Sequence, residues 1–160
     1  MKAAGLAPVL AAALVLLGCQ RWEDYAAPEG SFSVSRPGTP KVTTVDQPTP
    51  AGTFQRYIFA LERENLPVAY HVEYFDRRTI HGQAGPEEGL RLSRDGVVEF
   101  NRGTILAEQA LTLDEHPGRE ITIERPDAIT IRTRLYAVND RMYVLYTESA
   151  PTLIPLLLAK

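Results

Sequence analysis

Hydrophobic and polar positions alternate with period two along most of the chain, and that rhythm predicts strands. Phe32 and Val34 alternate with serines between turn residues at Gly30 and at Pro37 and Gly38, which predicts a short strand. Val42 and Val45 mark a second extended piece, the Pro- and Gly-containing run at 48–52 turns the chain, and the aromatic and β-branched residues of 53–62 predict a third strand. In the cleanest strand of all, Val68, Tyr70, Val72 and Tyr74 alternate with Ala69, His71, Glu73 and Phe75, so that one face is apolar throughout and the other mostly not. The rhythm changes after Gly85. Pro86, Glu87 and Glu88 suit a first helical turn, Leu90, Ser93, Val97 and Phe100 fall at helical spacing, and Arg102 with Gly103 closes the element. Residues 105–113 return to a strand pattern.

The last third of the chain predicts its own register. If Pro126, Asp127 and Ala128 form a three-residue hairpin loop, Arg125 pairs with Ile129, which sets Glu120 opposite Arg134, Thr122 opposite Arg132 and Glu124 opposite Thr130. The same register sends Ile121, Ile123, Ile129, Ile131, Leu135 and Ala137 to the other face, and a second turn at Asn139 and Asp140 adds Met142 and Val144 to them. One face of this meander is therefore expected to be core.

The beginning of the chain follows a different logic. After Met1 and Lys2 comes an uncharged run to Gly18, too short for the roughly 20 apolar residues of a spanning helix and interrupted by Gly5 and Pro8, so residues 1–18 are expected to be a secretory signal. Leu16, Leu17, Gly18 and Cys19 resemble a bacterial lipobox, in which the Cys takes a diacylglycerol thioether, is freed by cleavage before it and is then N-acylated. The chain has 1 Cys, and it stands at that spacing, which also excludes an internal disulfide framework and a Cys-based zinc site. Residues 19–31 are expected to be a lipidated N-terminus and short tether, and residues 32–160 a single domain. Gln20 in place of an Asp after the Cys points to the outer membrane, on its periplasmic face, as the default Gram-negative destination. With 17 Lys and Arg against 20 Asp and Glu, nothing in the charge favours nucleic acid as a partner.

With these elements in place, several stretches resemble the PsbP-like fold, which is named for an extrinsic subunit of the photosynthetic oxygen-evolving complex and is shared by bacterial lipoproteins. They are Trp22-Glu23-Asp24-Tyr25, the run from Pro28 to Val34, and Arg36-Pro37-Gly38-Thr39-Pro40 at the opening, then His116-Pro117-Gly118-Arg119-Glu120 and the run from Arg134 to Leu145 at the close. The resemblance implies an α+β fold, an antiparallel β-sheet meander with one or two flanking helices. It also implies a non-enzymatic binding or assembly role, and it brings no catalytic residues. The tail departs from the usual ending. Its apolar residues 153–159 are too few to span a bilayer and would leave water either against the sheet or at the bilayer surface beside the lipid anchor; since Pro155 interrupts an interfacial helix, packing on the sheet is the favoured expectation.

Candidate chemistry is sparse. His71 and Glu73 share a strand face at a spacing from which both could reach a metal, but His81 falls in a loop and His116 begins a turn, so no third ligand is placed and no metal or other cofactor is expected. Pro117 and Gly118 likewise read as a turn. No Gly-x-Ser-x-Gly elbow and no Gly-rich phosphate loop is present, so no enzyme activity is expected. Arg132, Arg134, Tyr136, Arg141 and Tyr143 share one face and are of the residue types enriched at binding hot spots, which makes them the candidate partner-binding set. Their alternative role is packing, with the helix that starts at Pro86 as the cover. The expected activity is thus that of a membrane-anchored binding or assembly module with an envelope protein as partner. A lipid or small-ligand carrier and a small envelope hydrolase are the alternatives, and an apolar pocket of roughly 300 Å³ or more would favour the carrier.

Overall fold

The computed structural model describes residues 22–49, 52–62 and 68–149; Cys19 and the apolar tail lie outside the described residues. Within them run nine strands and two helices in the order β1 (Glu23–Ala27), β2 (Phe32–Arg36), β3 (Lys41–Thr49), β4 (Gly52–Glu62), β5 (Val68–Asp76), α1 (Arg77–His81), α2 (Pro86–Asn101), β6 (Thr104–Leu113), β7 (His116–Glu124), β8 (Thr130–Val138) and β9 (Arg141–Ser149). Strands β3 to β9 form one antiparallel sheet in the order β3-β4-β5-β9-β8-β7-β6. Two local meanders are thus joined where β9 returns beside β5, and the two helices carry the chain from the middle of the sheet to its β6 edge. Strands β1 and β2 form a separate antiparallel ribbon.

The expected register of β7 and β8 is the observed one, with Glu120 facing Arg134, Thr122 facing Arg132 and Glu124 facing Thr130. The loop chemistry explains why. Arg125 donates its N–H to the Ile129 carbonyl at 2.9 Å, and Ala128 closes the loop in the left-handed region at φ 60°. Ile121, Ile123, Ile131, Leu135, Ala137, Met142 and Val144 are all buried on one face, where Leu90 and Val97 of α2 and Ile80 of α1 pack against them. This burial of aliphatic side chains is the main source of stability on the helix side.

Four expectations are corrected. The segment 19–31 is not tether throughout: residues 23–27 form β1, because Tyr25 and Ala27 turn inward and pair with Val34 and Phe32. His81 closes α1, which Asp76 caps by accepting the Arg78 N–H at 2.8 Å and Gly82 ends at φ 57°. His116, Pro117 and Gly118 belong to β7, where the positive φ values at Asp114 and Glu115 make the turn instead. Gly118 is required by its neighbour across the strands, since a Cβ there would lie 2.5 Å from the Tyr136 ring. Phe100 does not join the core and is 80% exposed, because Val97 and Val98 take the inward positions at this end of α2.

Candidate functional site

The face of the sheet opposite the helices is built in rows, which the register fixes. Nearest the β8–β9 turn, Tyr57, Tyr74, Tyr143 and Tyr136 lie side by side across β4, β5, β9 and β8 and end on Gly118 of β7. The next row is Phe59, Val72, Leu145, Arg134 and Glu120, with Gln109 of β6 beyond it. Below it come Leu61, Tyr70, Thr147, Arg132 and Thr122. The sequence thus changes from aromatic to charged both along the strands and across them.

The ribbon covers the aromatic part. Tyr74 donates its hydroxyl to the Glu29 carbonyl at 3.2 Å, and Tyr143 donates its own to the Gly30 carbonyl at 2.7 Å, so the turn between β1 and β2 is held by two adjacent tyrosines. Phe32 packs edge-on against Phe59 with ring centroids 5.1 Å apart and also touches Tyr74 and Tyr143. Tyr136 and Tyr143 are consequently only 8% exposed, and Arg141 lies over the Tyr74 ring at 4.9 Å. Of the five candidate partner-binding residues, Tyr136 and Tyr143 are buried beneath the ribbon, and Arg141 packs on Tyr74. The helix beginning at Pro86 lies on the other face.

Arg132 and Arg134 remain at the surface of a cleft of about 500 Å³ between the ribbon and the uncovered part of this face. Its ribbon wall carries Trp22, Tyr25, Phe32, Val34 and Arg36, and its floor Phe59, Leu61, Tyr70, Val72 and Leu145. The charged wall is organised around Glu120, which accepts from Arg132 Nη2 and Arg134 Nε at 2.6 Å each and from Gln109 Nε2 at 2.9 Å. Burial alone would raise this carboxyl, but the two arginine hydrogen bonds outweigh it and hold its pKa at about 2. The charge pair expected from the register is therefore part of a triad with a buried centre, 6% exposed. At neutral pH Glu120 has no proton to give and its oxygens are engaged, so its role here is to hold the two guanidinium groups.

The His71 and Glu73 face proves to be the helix side. Glu73 is taken by Arg56, whose Nε donates to it at 3.2 Å, and the His71 ring lies beside Tyr146. Among the described residues no three His, Cys, Asp or Glu side chains come together as a metal site would require. The cleft's ribbon wall was not identified from the sequence, although Trp22, Tyr25 and Arg36 all stand within the stretches that carried the family resemblance.

No protein-family model matches the chain, and no curated protein sequence does. Its fold is similar to that in the solution structure of cyanobacterial PsbP (CyanoP) from a Synechocystis species, at 9% sequence identity and a TM-score of 0.55, over 88% of this chain and 87% of that one. The fold is PsbP-like, as the resemblance implied.

Proposed function

We propose that the chain is a bacterial envelope lipoprotein, anchored through Cys19, whose domain is a non-enzymatic binding module with the ribbon cleft as its site. The cleft itself carries this reading. About 500 Å³ of concave space with aromatic and apolar walls and a few placed polar groups is the usual form of a ligand site, and it exceeds the volume set for a carrier. Of the two binding readings, the small-ligand carrier gains more from it than a flat protein interface does. A hydrolase gains less, because Glu120 is held ionised and fully hydrogen-bonded. The anchor reading rests on the lipobox-like residues before Cys19, and the outer membrane on Gln20. Three residues lie between Cys19 and β1, so at roughly 3.3 Å per extended residue the start of the ribbon lies within about 15 Å of the acylated end.

Two experiments test the two halves of this reading. Cys19→Ser is expected to abolish fatty-acid labelling and leave an unprocessed precursor, and a labelled, fully matured variant would overturn the anchor. A benzophenone amino acid at Thr122, in the cleft, is expected to give an adduct in intact envelopes that the same group at exposed Thr112 does not. Equal adducts at both positions, or none at Thr122, would remove the cleft as the site.

A further inference from the structure

The cleft brings together more positive charge than it neutralises. Its charged border contains three guanidinium groups, on Arg36, Arg132 and Arg134, against the single carboxylate of Glu120. Arg132 and Arg134 share that carboxylate. Arg36 is in a different position. It leans over the Tyr25 ring with its central carbon 4.0 Å from the ring centre, a contact that supports the cation without accepting a hydrogen bond. Its Nε and Nη1 are shut off from water and have no acceptor among the described residues. A buried donor without a partner is costly, and a charged one more so. A guanidinium left short of acceptors at the edge of an open cleft would be relieved by an anion there once the side chain turns its covered donors towards the opening.

The rest of the cleft describes what the anion must be attached to. Phe32, Val34, Phe59, Leu61, Val72 and Leu145 offer an apolar bed that a bare inorganic ion would leave unused. We infer that the cleft binds an amphipathic anion, an alkyl or aromatic body bearing one carboxylate or phosphate, with the head against Arg36 and the Arg132–Arg134 wall and the body along the apolar floor. This rests on the reading of the ribbon cleft as the binding site, and it adds the chemistry of the ligand. Arg36 is then the recognition residue, because it is the guanidinium in the cleft that has no carboxylate partner among the described residues.

The chain supplies its own reporter. It contains 1 Trp, and Trp22 lines the cleft, edge-on to Tyr70 at 5.9 Å between ring centroids. The full chain carrying Cys19→Ser is titrated with octanoate, octyl phosphate, n-octanol and acetate while Trp22 fluorescence is followed. Octanoate or octyl phosphate is expected to bind at least about tenfold more tightly than octanol, since a charge-assisted hydrogen bond replaces a neutral one, and acetate is expected to bind weakly for want of a body. The comparison of the two heads separates a carboxylate ligand from a phosphate-bearing one. Arg36→Gln should bring the anion down to the level of octanol, Arg36→Lys should keep part of the preference, and on the unaltered side chains the preference should shrink as salt is raised. Octanol binding as tightly as octanoate would overturn the anion inference and leave a merely apolar cleft. If no probe changes Trp22 emission, the cleft fails as a site altogether. If Arg36→Gln does not fold, a preference that is unchanged by salt decides against the inference without the variant.

Discussion

Glu120 shows how far a single side chain can depart from what its sequence neighbours suggest. Its partners were legible, because a pairing register turns residue numbers into neighbours; its burial was not, because a register does not say how closely Arg132, Arg134 and Gln109 close over the carboxylate. The ordinary carboxyl value is 4.5 and the folded one about 2, so the unfolded chain takes up the proton first as pH falls. The stabilisation is complete above about pH 4.5 and is lost on the way down towards about pH 2. Glu120→Gln is therefore expected to cost about 2–3 kcal/mol at pH 7, read from urea unfolding, and visibly less at pH 3. An equal cost at both values would separate the triad from acid stability. Gly118 is a second case. Its Pro117 neighbour imitates turn chemistry, whereas the true demand is the Tyr136 ring across the ladder and the Leu135 carbonyl, which a Cβ would approach to 2.8 Å. Because backbone as well as a ring must shift, Gly118→Ala should destabilise by about 1–3 kcal/mol in thermal unfolding, with Tyr136 displaced.

Elements were legible in proportion to their length and regularity. Strands β2 to β9 each announce themselves by alternation or by composition, and α2 by its Pro86 start and acidic first turn. The five residues of α1 are too few to show a helical period, and the helix exists because Asp76 caps it and because buried Arg77 ties it to its surroundings, donating to the Ala84 and Asn139 carbonyls. Strand β1 contributes only Tyr25 and Ala27 to the core side, again below what a periodic signal needs. The ribbon is held to the sheet chiefly by aromatic packing, and Phe32 is its central contact. Removing a fully buried Phe typically costs about 3–5 kcal/mol; Phe32 is partly exposed, so Phe32→Ala should cost about 2–3 kcal/mol. The loss should be local. Amide exchange is expected to quicken in β1 and β2 while β8 and β9 stay protected, and uniform quickening across all four would show that ribbon and sheet unfold as one.

At the scale of the molecule, the hairpins were readable from local turns, but the seam between the meanders was not. It pairs Asp76 with Arg141 and Val68 with Ser149, partners that no loop rule connects. The choice of covering layer was equally hidden, because β8 and β9 present apolar residues on both faces: aliphatic towards the helices, aromatic towards the ribbon. Layer assignment follows from shape, since long aliphatic rows accept a helix and tyrosine hydroxyls need main-chain carbonyls to receive their hydrogen bonds. The same arrangement decides how the protein answers to a pull. The ribbon is the first element among the described residues, and its open end is where Glu23 pairs with Arg36. Tension applied upstream of Trp22 therefore loads the β1–β2 ladder one rung at a time, from Glu23 towards the turn, a peeling geometry that yields at low force. The hydrogen-bonded ladders of the large sheet, which begin only after β2, are spared until the ribbon has opened. Arg36, at the first rung, feels the load before any other cleft residue of β2, so tension alters the ribbon wall of the cleft before the rest of the fold.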